Sequence, residues 1–196
     1  IIPVALFFLI EGSVSFTFFL SILFLATSYE WIKMIKKNDL LKILGIIFLI
    51  LSFYSAYQFR NIVGFKYFIL IVLICIFTDV GGYIFGKLFK GPKLTKISPN
   101  KTYAGMVGGY ILSITSVIIS SNYINNSVSY FSLIFIVILI STVSQLGDII
   151  VSYFKRLSKI KNTGKIIPGH GGLLDRIDGM IFAFPSTYLI LKIIYP

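Results

Sequence analysis

Four aspartates stand where an aspartate is costly: Asp79, Asp148, Asp175 and Asp178 lie within or at the start of long apolar runs. An Asp at mid-bilayer costs about 2.5–3.5 kcal/mol on insertion scales, and less near the interface, so each is a candidate for function. At a helical rise of about 1.5 Å per residue, Asp79 lies about 12 Å before Lys87 and Asp148 about 10 Å before Lys155. Asp175 and Asp178 follow closely on Gly172, so all four are expected at similar depth beside basic segments. Ser141, Ser144, Asp148, Ser152 and Lys155 recur at helical spacing and form one polar stripe on an otherwise apolar helix. Asp175 and Asp178 share a helix face. Carboxylates brought this close need a divalent cation or a proton between them, and all-oxygen ligation favours Mg²⁺ or a similar hard ion. The plainer alternative is an ion-pair scaffold joining Asp175 or Asp178 to Arg176 or Lys155. The other three of the seven acids ask for less: Glu11 and Glu30 flank apolar runs, and Asp39 is expected in a loop.

Two segments beside these acids suit phosphate. Pro168-Gly169-His170-Gly171-Gly172 places an N–H-rich turn just before the helix carrying Asp175, where free amides and the helix dipole favour phosphate oxygens. His170 reads as a hydrogen-bonding loop residue more than as a base. The Lys87–Lys101 segment, with Ser98, Pro99 and Thr102, can add cationic contacts. Lysines near a membrane also attract anionic headgroups without selectivity, at about 1 kcal/mol each.

The elements that must position these residues are membrane helices. Of 196 residues 57% are hydrophobic and 13% charged, about half the usual ~25% charge, which excludes a soluble globular domain. Apolar runs appear at Ile1 to Ile10, Val14 to Trp31, Ile43 to Phe59, Tyr67 to Gly86, Tyr103 to Ser120, Phe131 to Phe154 and Leu173 to Ile194. With ~20 residues per span, the expected fold is all-α, a polytopic membrane protein with about six to seven transmembrane helices in one domain, 1–196. The runs are continuous and do not alternate, which disfavours a β-barrel. The first run is short and the chain opens on Ile1, so the N-terminus reads as truncated. Cys75 is the lone cysteine and excludes an intrachain disulfide. Gly105-x-x-x-Gly109 permits close helix packing, within one chain or across a homodimer.

Charge sets the orientation. The chain carries 18 Lys and Arg and a net charge of +11. Fourteen of those cations fall in three connections: Lys33, Lys36, Lys37 and Lys42; Lys87, Lys90, Lys93, Lys96 and Lys101; and Lys155, Arg156, Lys159, Lys161 and Lys165. These alternate with nearly uncharged connections, which places the basic loops in the cytoplasm. The excess therefore reads as a topology signal first and a binding surface for anionic substrates and membrane lipids second, with no nucleic-acid partner.

Gly147-Asp148, Ser152-Tyr-Phe-Lys155-Arg156, Lys161, Pro168-Gly-His-Gly-Gly172 and Asp175-Arg176-Ile-Asp178 closely resemble the C-terminal pattern of the phosphatidate cytidylyltransferase family, S-x-x-K-R, four residues, K-D, then P-G-H-G-G-x-x-D-R-x-D. Asp79, Gly86-Lys87, Ile97-Ser98-Pro99-Asn100-Lys101-Thr102, Gly105 and Gly108-Gly109 resemble its S-P-x-K-T-x-E-G stretch, so the motif region covers 79–179. Asn162 stands where the pattern has Asp, and Ala104 where it usually has Glu.

The resemblance implies attack of the phosphatidic acid phosphate on the α-phosphorus of CTP, giving CDP-diacylglycerol and pyrophosphate at a bacterial-type inner membrane. It implies Mg²⁺, with a second cation left open. Asp148 and Asp175 would be the metal ligands, with Asp178 a third ligand or a support. Lys155, Arg156 and Arg176 would hold phosphates. Asp79, Lys87, Ser98, Lys101, Thr102, Ser152, Lys161, Gly169, His170, Gly171 and Gly172 would complete the substrate site. Two rivals fit less well. Asp175-x-x-Asp178-Gly179 mimics the opening of the CDP-alcohol phosphotransferase motif, but Ile181 and Phe182 occupy its A-R positions. An ion-coupled transporter would place its acids near the midplane of two repeated halves.

Overall fold

In hydrocarbon a backbone N–H finds a partner only within its own segment, so uninterrupted apolar runs become helices. The computed structural model describes residues 8, 11, 13–120, 129–164, 166 and 171–194. In chain order the elements are α1 (Ser13–Met34), α2 (Asp39–Gln58) continued by a π-helical turn (Phe59–Val63), α3 (Phe65–Phe89), α4 (Tyr103–Ser120), α5 (Tyr130–Leu157), the single turn α6 (Leu174–Ile177) and α7 (Met180–Ile194). Among the described residues there is no strand, only an isolated bridge between Lys93 and Thr102.

Helices α1 to α5 are each long and apolar enough to cross a membrane, and α7 is a shorter apolar helix, so this is an integral membrane protein. Two of the seven apolar runs stand apart. Ile1 to Ile10 falls almost wholly outside the described residues. Leu173 to Ile194 is broken by Asp178 and Gly179 into α6 and α7. Large side chains such as Phe131, Val14 and Leu88 are exposed on the outer surface, as lipid-facing positions require.

Helix starts follow local chemistry. Asn38 caps α2 by accepting the Leu41 N–H at 3.1 Å. Asp39, expected in a loop, opens that helix and pairs with Lys42 at 2.7 Å, where a negative charge meets the positive end of the dipole. Thr102 caps α4 by accepting the Gly105 N–H at 3.1 Å.

The closest helix packing is α3 on α4, along Gly81, Gly82 and Gly86 facing Gly105, Gly108 and Gly109. A methyl group on Gly81 would lie 2.9 Å from the Gly109 Cα, so the helices could not keep this approach. The Gly105-x-x-x-Gly109 motif is thus used within the chain. One apolar core joins Phe16, Phe59, Phe68, Ile71, Ile74, Val137, Ile140 and Phe184. A second joins Trp31, Met34, Leu49, Val151, Leu174 and Ile181 near the acidic residues. Ser52 donates to the Ile181 carbonyl at 2.6 Å and ties α2 to the start of α7.

Candidate active site

The site begins with the segment after α3, which folds back on itself. The Leu94 N–H donates to the Lys101 carbonyl at 2.7 Å, the Lys101 N–H to the Ser98 carbonyl at 3.0 Å, and the Tyr103 N–H to the Pro92 carbonyl at 3.2 Å. Held this way, Lys101 reaches α5 and forms an ion pair through its Nζ with Asp148 Oδ2. The other Asp148 oxygen accepts from Ser152 at 3.4 Å. The polar stripe expected on α5 is present, and it faces inward: Ser141, Ser144, Ser152 and Lys155 are buried and Asp148 is half-buried. Thr78 donates to Ser141 at 2.8 Å, fixing α3 against α5 one residue before Asp79.

Gly147, next to Asp148, lets the Asp178 backbone and the Phe182 ring close on α5: a methyl group there would lie 2.9 Å from the Asp178 carbonyl oxygen. Asp178 is buried, and its Oδ1 accepts the Gly179 N–H at 3.0 Å. Desolvation and then the negative charge of Asp148 push its carboxyl well above the ordinary carboxylate value; Lys155 opposes this and Asp79 adds to it. Asp79 is exposed and senses Asp148 and Lys101 in turn. Asp79, Asp148 and Asp178, from three elements, therefore share one electrostatic neighbourhood.

Asp175 has a different setting. Its Oδ1 lies 2.8 Å from Lys155 Nζ. Its Oδ2 accepts the Thr163 N–H at 2.8 Å and the Gly172 N–H at 3.1 Å. Burial raises the cost of ionising it, but the Lys155 hydrogen bond, the Thr163 amide, the Lys155 charge and the Gly172 amide outweigh that and hold its carboxyl below the usual range. The ion-pair scaffold considered from the sequence is thus realised between Asp175 and Lys155.

Residues 40–194 match the model of the cytidylyltransferase family. The chain belongs to the cytidylyltransferase family.

Among its relatives are proteins named phosphatidate cytidylyltransferase. That of Staphylococcus saprophyticus is 37% identical over 150 residues, 76% of this chain and 57% of that protein. That of Staphylococcus epidermidis is 38% identical over 142 residues, 72% of this chain and 54% of that protein. That of Staphylococcus haemolyticus is 40% identical over 129 residues, 65% of this chain and 50% of that protein. The chain spans about half the length of the curated relatives it matches. Both motif segments of this cytidylyltransferase-family chain fall inside the matched residues, whereas Glu30 precedes them.

The remaining expected site residues divide by location. Arg156, Lys161, Arg176 and Lys87 are exposed, and Arg156 Nη1 donates to the Ile160 carbonyl at 3.2 Å. Ser98 and Thr102 shape the backbone around Lys101 through their turn and cap bonds. Gly171 has φ of +87°, a conformation that L side chains rarely adopt, and Gly172 is buried. Gly169 and His170 lie outside the described residues.

One buried acid was not singled out from the sequence. Glu30 is 1% exposed and its carboxylate contacts the same turn that Asp175 holds. The only signal for it was an acid one residue inside the end of the Val14 to Trp31 run.

Among the described residues no group of three or more His, Cys, Asp or Glu side chains is gathered so as to hold a metal ion unaided. Mg²⁺ seldom needs such a cage: it takes one or two carboxylates and completes its octahedron with substrate phosphates and water. Asp148 and Asp178, close enough for each charge to bear on the other, offer oxygen donors for that arrangement.

Proposed function

We propose that this chain carries the catalytic region of a phosphatidate cytidylyltransferase, which joins CTP and phosphatidic acid to give CDP-diacylglycerol and pyrophosphate. An oxygen of the phosphatidate phosphate attacks the α-phosphorus of CTP, one P–O bond forms, and the bond to the β-phosphate breaks with its electrons leaving on pyrophosphate. The nucleophile is already an anion at neutral pH, so no strong general base is required and His170 need not be catalytic.

The chemistry left to the protein is positioning and charge stabilisation. Mg²⁺, when bound, would neutralise charge developing on the phosphates. Asp148 and Asp178 would hold it, with Asp79 beside them. Asp175, expected as a ligand from the sequence resemblance, would join them while its two oxygens also hold Lys155 and the glycine turn. Lys101 and Lys155 would approach phosphate oxygens as point charges, and Arg156 and Arg176 as planar forks. Lys87 and Lys161 extend the cationic rim. Phosphatidate would enter from the bilayer and CTP from the cytoplasm, which the positive-inside bias of the loops supports.

The observation that carries this reading is the ion pair between Lys101 and Asp148. It brings together the two segments that resemble the family, and it gathers acids and cations at one place. The test is turnover in detergent micelles with labelled CTP, phosphatidate and Mg²⁺. Lipid-linked label and pyrophosphate should appear in equal amounts. Label transferred to no phosphatidate-like lipid at any Mg²⁺ concentration would overturn it.

A further inference from the structure

We propose that Glu30 is a positioning residue: its carboxylate, buried near the end of α1, clamps the Thr163–Gly164 and Gly172–Leu174 segments together and so fixes where Asp175 and Lys155 stand. The role in catalysis rests on the cytidylyltransferase reading above; the clamp itself does not.

The Glu30 carboxylate accepts from three donors. Thr163 Oγ1 donates to its Oε2 at 2.9 Å, the Leu173 N–H to its Oε1 at 2.9 Å, and the Leu174 N–H to its Oε2 at 2.8 Å. These partners lie 133, 143 and 144 residues along the chain, so the contact joins the first described helix to the C-terminal motif. A buried carboxylate is tolerated only when its lone pairs are satisfied, and these three donors meet both of its oxygens. A glutamine would turn an NH₂ group toward one of those donors.

Two glycines show that the clamp shapes its surroundings. A methyl group on Gly164 would lie 2.9 Å from the Glu30 Cδ, and one on Gly172 would lie 2.8 Å from it. Neither glycine has a positive φ, so the absence of a side chain serves close approach, of Glu30 at Gly164 and of both Thr163 Oγ1 and Glu30 at Gly172. Thr163 is the pivot, because its hydroxyl binds Glu30 while its N–H binds Asp175 Oδ2. Gly172 likewise gives its N–H to Asp175. Two carboxylates from distant parts of the chain thus hold the same pair of segments. One of them also holds Lys155, which lines the proposed phosphate site.

The test uses the full chain in detergent micelles and compares Glu30→Gln, Thr163→Val and Thr163→Ser with the parent. Two readouts are taken: amide hydrogen exchange at Leu173 and Leu174 against Ile71 and Ile74 in α3, and kcat apart from KM for CTP. In Glu30→Gln, exchange at Leu173 and Leu174 should accelerate about tenfold or more while the α3 amides hold their protection. The kcat should fall by about tenfold with a smaller change in KM, since misplacing a reacting group acts on the transition state. Thr163→Val should reproduce part of both effects and Thr163→Ser neither. Unchanged exchange at Leu173 and Leu174 would overturn the clamp, as would equal acceleration at Ile71 and Ile74, which marks a residue of general stability. A locally opened turn with parental kcat would overturn the positioning role. A parent chain that makes no CDP-diacylglycerol while its turn responds as described would sink the functional reading and leave the clamp standing.

Discussion

Lys155 Nζ lies 2.8 Å from Asp175 Oδ1, with the two side chains 10% and 9% exposed. Removing one partner of a buried pair leaves the other charged and unmatched, at a cost of about 3–5 kcal/mol. Asp175→Asn should therefore lower the unfolding midpoint in detergent sharply. The double change Lys155→Met with Asp175→Asn should recover much of that loss, because no charge is orphaned and the asparagine oxygen can still accept from the Thr163 and Gly172 amides. Denaturant or thermal unfolding of the parent, Lys155→Met, Asp175→Asn and the double variant measures the coupling.

Asp175 and Asp178 should respond to pH in opposite senses. The folded-state pKa of Asp175 is depressed, so its contribution is complete above its unfolded-state value, ~3.9, and fades as pH falls through the lower folded value. The stability gap between the parent and Asp175→Asn should thus close in acid. Asp178 is raised, so the folded state binds its proton more tightly and its contribution declines as pH rises through that value. Asp178→Asn should therefore keep or raise stability at neutral pH while abolishing turnover. Unfolding midpoints across pH, beside activity, check both.

The glycine seam between α3 and α4 sets the distance from Asp79 to the Lys101 loop. Gly81→Ala would push a methyl group against the backbone of Gly108 and Gly109, which cannot move aside as a flexible side chain would. A destabilisation of about 1–3 kcal/mol is expected, with loss of activity beyond the fraction unfolded. Gly82→Ala, whose methyl would lie 3.8 Å from the Gly105 carbonyl, should be nearly silent in the same unfolding assay.

Lys101 should act on nucleotide binding. Lys101→Met removes a cation facing the phosphates and leaves Asp148 without its partner, so KM for CTP should rise by about tenfold or more, while Lys101→Arg retains most of the affinity. Initial rates at varied CTP and salt test this, and the effect should shrink as salt rises.

Much of this arrangement was legible in the residues themselves. Aspartates in apolar runs are costly enough to announce a site, and the polar stripe from Ser141 to Lys155 lies on one inward face, as its spacing required. The expectation that Leu173 to Ile194 is one run failed because Gly179 packs against Ser144 at the joint between α6 and α7, a tertiary contact with no local signature. Glu30 was read as a flank for a similar reason. Its three donors come from the far end of the chain, two of them backbone amides that carry no side-chain identity. Asp175 followed the motif into the site, but the amides that engage it are likewise invisible to spacing.

The central claim, that Asp148 anchors transfer of CMP from CTP to phosphatidate, is tested most directly by product formation in Asp148→Asn beside the parent, with labelled CTP, phosphatidate and a full Mg²⁺ titration. The account predicts lipid-linked CMP and pyrophosphate in equal amounts from the parent, and neither product from a folded Asp148→Asn at any Mg²⁺ concentration. Parental turnover by Asp148→Asn would contradict it.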